Sequence, residues 1–231
     1  MDQITPERLR LHTSALLGRA NNWDICLGGK SGYPYPAGIK YLFFLLSGLY
    51  IPVTLLWSGL IPLQYRFHVS FLVIVTFLIF AFQRKYRFRE LGYRVDNFSS
   101  SLCWNFMFCL FGAVCLYSAH RFGLLNPVNN ENQSIYVFYI LFLAPAQELV
   151  YRGILFAEMQ RMRNMDNRVI LIVSTSSFCC LHLIYNHPPI IIISFVSGLI
   201  WGAIFMKCPN IWGVSLSHAL LGAMALFLGV I

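Results

Sequence analysis

Gln147, Glu148 and Arg152 interrupt an apolar run that extends from Ser134 to Phe156. Charged side chains at membrane depth are costly, so they mark a functional site unless a partner accounts for them. Glu148 and Arg152 are four residues apart, which puts them on one helix face and within reach of each other. Gln147 projects about 100° away from Glu148, so the two need not do the same job. Pro145 has no N–H to donate and disturbs the turn before it, leaving carbonyls that a cavity or water could use. The plainer alternatives are an ion pair that only fixes helix packing and an ordinary membrane-helix kink.

Two histidines join this set. His182 closes Phe178-Cys179-Cys180-Leu181-His182, and His218 lies in Ser215-Leu216-Ser217-His218-Ala219. One membrane histidine is more often a hydrogen-bonded packing residue than a catalyst. Two, with Gln, Glu and Arg on a third segment, are a candidate site. Asn186 is expected to share a face with His182, while His12, His68, His120 and His187 receive no role. Glu148 and the two histidines could form a His2Glu zinc set. No HExxH run is present and the histidines lie on separate segments, so metal-independent chemistry ranks first and no cofactor is expected. The same groups could instead line the polar pathway of a small transporter, although no inverted repeat of that class is visible.

The elements that must position these residues follow from composition. The chain is 58% hydrophobic and 11% charged, against about 25% charged in a soluble domain. Seven apolar runs are legible: 38–63, 68–82, 99–118, 134–156, 168–184, 189–206 and 211–231. A helix satisfies its own backbone in lipid, and strand alternation is absent. The expected fold class is therefore all-α, a polytopic transmembrane helical bundle of about seven segments. Residues 1–37 form a polar N-terminal arm that could lie as a helix on the membrane surface; residues 38–231 form the bundle. The Gly198-Leu199-Ile200-Trp201-Gly202 sequence suits close helix approach.

The net charge of +8 does not point to nucleic acid, because the basic residues cluster at the ends of apolar runs. Fourteen of them fall on one side of the alternating topology, and only Arg66 and Arg121 on the other. That split predicts a cytoplasmic N-terminus and, with seven spans, an outside C-terminus. The seven cysteines are odd in number, mostly lie in apolar runs and contain no CxxC. They read as small buried packing groups. No cleavable signal peptide is seen, and with the compact size this favours a bacterial inner membrane.

Taken in order, these motifs resemble a known family. The run from Ala144 to Gly153, with Gln147-Glu148 and Arg152, is similar to the first motif of the CAAX-protease and bacteriocin-processing (CPBP, or Abi) family: two adjacent glutamates, three residues, then arginine. Phe178 to His182 looks like its second motif. Phe195-Val196-Ser197-Gly198 with Gly202 is similar to its glycine-bearing third segment, and His218 falls where the last motif places a second histidine. Glu90-Leu91-Gly92-Tyr93-Arg94 also resembles a loop seen upstream in the family. The ordered set covers about 75 residues, where each motif alone is weak.

The resemblance implies a glutamate-type intramembrane endopeptidase with its core at 134–231, acting on a membrane-anchored protein or peptide in the lipid bilayer. The first glutamate of the pair would activate a water; Gln147 stands there. Glu148 and Arg152 would hold the site, His182 would orient water or carbonyl, and His218 would bind or stabilise the oxyanion. Asn186, Tyr151 and Phe178 are the expected substrate-binding residues. Two departures matter. An amide does not act as a base near neutral pH, so this copy reads as an inactivated, Glu→Gln-type variant, with a naturally altered member using Glu148 as its rival. Gly222 stands where the family often has asparagine, and Asn186 is the expected substitute. A non-catalytic member acting in peptide binding or toxin immunity is the alternative function.

Overall fold

The computed structural model describes residues 38–125, 133–162 and 165–230. The arm expected at 1–37 lies outside these residues. Each of the seven apolar runs is a helix: α1 (Ile39–Trp57), α2 (Arg66–Gln83), α3 (Phe98–Arg121), α4 (Gln133–Arg161), α5 (Asn167–Leu181), α6 (Pro188–Lys207) and α7 (Ile211–Phe227). Six helical segments are long and apolar enough to cross a membrane; α7 is shorter at 17 residues, which is still near the minimum span of about 17. The chain is a multi-pass membrane protein, all-α among the described residues.

The helix ends follow local chemistry. α1 stops short of Leu63 because Gly59 takes φ +76°, and α7 stops at Phe227 because Gly229 takes φ +71°. Left-handed backbone of this kind ends a helix, and glycine adopts it without steric cost. Asn210 starts α7: its Oδ1 accepts from the Trp212 and Gly213 N–H groups at 3.1 and 3.3 Å, and its Nδ2 donates to the Arg94 carbonyl at 2.7 Å.

α4 is the irregular element and the centre of the bundle. It contains two π-helical turns, Tyr139–Leu143 and Leu149–Ile154, on either side of the short α-helical piece Ala144–Glu148 that carries Pro145. A π turn inserts one residue relative to α geometry and so resets which side chains share a face. α7 packs against both α3 and α4, α6 packs against α5, and α1 packs against α4 and α5. Small residues allow the close crossings. Ala144 and Ala219 are buried beside Tyr139 where α4 meets α7. A Cβ at Gly198 would press on Phe178 and Thr175 of α5, at 3.1 and 3.3 Å. The glycine pair of α6 therefore serves packing within the bundle, as its spacing predicted.

The two ends of the bundle differ. One end carries the basic connection 84–97, tied to the end of α4 by buried charge. Arg84 donates to both Glu158 oxygens at 3.2 and 3.0 Å, the Tyr86 hydroxyl donates to the same carboxylate, and Arg161 donates to Glu90 at 2.6 Å. The opposite end carries the starts of α2 and α4 and the ends of α5 and α7.

Candidate active site

The site is built where α4, α5, α6 and α7 converge. Glu148 is fully buried, and its Oε1 accepts from Arg152 at 3.1 Å and from His218 Nδ1 at 2.6 Å. Arg152, also fully buried, donates its other terminal nitrogen to the Gly198 carbonyl at 3.2 Å and lies 4.7 Å over the Phe178 ring. One ion pair thus joins three helices: α4 supplies both charges, α7 a histidine and α6 a backbone carbonyl. Breaking such a pair strands a charge in an apolar interior, which costs about 3–5 kcal/mol.

His218 is held on every side. Trp201 stacks on its ring at 4.5 Å, Phe178 meets it edge-on at 5.4 Å, and Tyr139 meets it edge-on at 6.2 Å. Trp201 is itself fixed, because its Nε1–H donates to Ser217, whose hydroxyl donates to Asn105 of α3. His182 ends α5. Its Nδ1 lies 3.1 Å from the Phe178 carbonyl, which can only accept, so Nδ1 carries the proton. Neutral His182 therefore presents Nε2 as an acceptor.

A cavity of about 200 Å³ opens beside these residues, lined by Gln147, His182, Tyr139, Tyr185 and, at the start of α2, Arg66, Phe67 and Ser70. A second, apolar cavity lies between α1, α2 and α4, lined among others by Leu49, Val53, Val73, Leu143, Val150 and Tyr151. Gln147 lines both cavities, whereas Glu148 lines neither.

The expected site residues therefore divide. Gln147 and His182 share the cavity. Glu148, Arg152 and His218 form the buried support beside it, and Phe178, 2% exposed, joins that support by packing on Arg152, His182 and His218. Tyr151 lines the apolar cavity. Asn186 is elsewhere: it is exposed, adopts φ +50°, and its Oδ1 accepts from Trp57 Nε1 at 3.1 Å. The expectation that it shares a face with His182 fails because residues His182–Tyr185 are a 3-10 turn. At three residues per turn, positions four apart are about 120° apart around the axis, not about 40° as in an α-helix. Among the described residues, no three His, Cys, Asp or Glu side chains converge as a metal site.

Tyr139 is the residue that sequence reasoning missed. In an unbroken α-helix it would sit about 80° away from Gln147; a one-residue π insertion reduces that to about 20°. The π turn at Tyr139–Leu143 provides the insertion, and both side chains line one cavity. Its hydroxyl also covers Gly222, so that a Cβ there would overlap the phenol.

Residues 130–224, which contain every one of these site groups except Asn105 and the α1–α2 lining, match the family model of Rce1-like type II CAAX prenyl endopeptidases. Over these residues the chain is similar to the CAAX protease family. No curated protein and no solved structure matches it. CAAX proteases are peptidases that act on membrane-associated proteins. The α4–α7 segment that the match spans is the part of the bundle that assembles Glu148, Arg152, His182 and His218.

Proposed function

We propose that this fold is an intramembrane endopeptidase of the glutamate type, acting without a metal near a terminus of a membrane-associated or lipid-linked protein, and that Gln147 makes this copy inactive. The observation that carries the reading is that Gln147 lines both an apolar cavity and one that His182, Tyr139 and Arg66 also line. A substrate that fits both has an apolar group, a lipid chain or a run of apolar side chains, close to a peptide bond. A base at position 147 would take a proton from water while His182 Nε2 holds that water. The oxygen then adds to the carbonyl carbon, the C–N bond breaks, and the proton passes to the departing amine. The amide of Gln147 has no basic lone pair for the first step, so the chain binds but does not cut. Glu148 does not replace it in this reading, because its Oε1 is held by Arg152 and His218 and the residue, fully buried, lines neither cavity.

The test is cleavage in membranes of prenylated CAAX tails, sorting tails and leader peptides by this chain and by Gln147→Glu. Cleavage by the Gln147→Glu form, lost again on adding His182→Ala, supports the reading. Equal cleavage with and without His182 sinks it. The same Gln147 supports a second reading, a non-catalytic member that holds peptides or confers toxin immunity; it gains if Gln147→Glu folds and binds tails yet cuts none.

The basic connections 84–97 and 161–168 belong in the cytoplasm on the positive-inside rule, with the N-terminus on the same side, and a bacterial inner membrane suits so compact a bundle. The cavity mouth lies at the other end of the helices. That orientation favours a sorting tail or leader over a prenylated tail among the candidate substrates.

A further inference from the structure

We infer that Tyr139 is a hydrogen-bond donor to the substrate carbonyl, its hydroxyl seated in the space that Gly222 of α7 leaves open. This deepens the endopeptidase reading and rests on it. Three observations carry the assignment. Tyr139 is 9% exposed, lines the cavity with Gln147 and His182, and its ring meets His218 edge-on at 6.2 Å. No described residue hydrogen-bonds its hydroxyl, although a buried tyrosine O–H usually finds a partner. The hydroxyl occupies the space over Gly222, one helical turn beyond His218, where any side chain on α7 would displace it.

The π turn and the glycine make one device. The inserted residue brings Tyr139 to the face of α4 that Gln147 uses. Gly222 then clears the far wall, so that the phenol lies beside His218 rather than against a Cβ. A phenolic O–H donates in the plane of its ring and is un-ionised at neutral pH. Placed beside the substrate cavity, such a donor stabilises negative charge developing on a carbonyl oxygen, and removal of one such donor typically slows turnover by about 10²–10³-fold.

The deciding experiment uses the full chain in detergent and a lipid-tailed tail peptide whose scissile amide is replaced by a phosphinate, which presents an anionic tetrahedral oxygen and cannot be cut. The comparison ligand is the same peptide with an N-methyl amide. Tyr139→Phe should weaken phosphinate binding by about ten- to a hundredfold, the range of a hydrogen bond to a charged group. It should leave N-methyl amide affinity within about twofold, since only the oxygen is removed, and leave the melting temperature unchanged, since that oxygen supports no protein hydrogen bond. Gly222→Ala, which keeps the phenol but moves it, should lose the same discrimination. In the Gln147→Glu background, Tyr139→Phe should lower kcat and spare KM.

Equal phosphinate affinity with and without the hydroxyl overturns the donor role and leaves the endopeptidase reading standing. Failure of the parent chain to bind either peptide, with no cleavage by Gln147→Glu, overturns both. A fall in melting temperature with parallel loss of both ligands makes Tyr139 a packing residue and also overturns the inference.

Discussion

Glu148 and His218 lie 70 residues apart in the chain and 2.6 Å apart in the structure, Nδ1 donating to Oε1. With Arg152 on the same oxygen, this carboxylate is a structural anchor for a histidine and an arginine. Its walls are the side chains of α4 to α7, and neither cavity reaches it.

Removing one partner should therefore cost more than removing the pair. Glu148→Gln leaves the Arg152 guanidinium buried without its counter-charge, and about 3–5 kcal/mol of stability should be lost. Glu148→Gln combined with Arg152→Met should recover part of that loss. Thermal or denaturant unfolding in detergent reads both. A single variant as stable as the parent would show that the ion pair is not the clamp of these helices.

Gly198 should be the less tolerant member of the α6 glycine pair. A Cβ there meets Phe178 and Thr175 and lies 3.5 Å from the Arg152 guanidinium, while at Gly202 its nearest contact is the flexible tip of Leu171. Gly198→Val should overpack the crossing by about 1–3 kcal/mol and strain the Arg152 bond to the Gly198 carbonyl. Gly202→Ala should be nearly neutral. Unfolding midpoints of the two variants give the comparison, and equal losses would mean that the arginine contact adds nothing.

Asp96 should titrate far below the usual carboxylate range. The Arg94 side chain donates to it at 3.0 and 2.5 Å, and with the Arg89 charge nearby this holds its pKa down to about 2. The folded value is depressed, so the clip it gives to the 89–96 turn is fully present above about 3.8 and is lost as pH falls through about 2. Exposure keeps its effect on global stability small. Side-chain carboxyl NMR should show the low midpoint, and Arg94→Met should move it up towards 3.8.

The two ends of the bundle should label from opposite sides of the membrane. Val95, 88% exposed, lies in the basic connection, and Leu60, 76% exposed, lies in the α1–α2 connection at the cavity end. In a cysteine-free background, Val95→Cys should be protected from an impermeant maleimide added outside cells, and Leu60→Cys should react. The reverse pattern would turn the cavity mouth to the cytoplasm and restore the prenylated tail as the favoured substrate.

Much of this protein is written locally in its sequence. Apolar runs of about 20 residues have one good solution in lipid, so the seven helices and their order follow from composition. Glu148 and Arg152 pair because four residues make roughly one turn, and they pair in the structure. Gly198 and Gly202 mark a close crossing because small residues let two helices approach. What tertiary structure alone decides is everything that depends on the phase of a helix or on two distant segments meeting. The π turns of α4 bring Tyr139 to the face of Gln147, and the 3-10 turn after α5 carries Asn186 away from His182 to Trp57. Both shifts change hydrogen-bond register by a single residue, which side-chain periodicity does not record. The choice between Gln147 and Glu148 for the cavity depends on where α7 places His218, and that placement is fixed by Trp201 of α6 and, through the neighbouring Ser217, by Asn105 of α3.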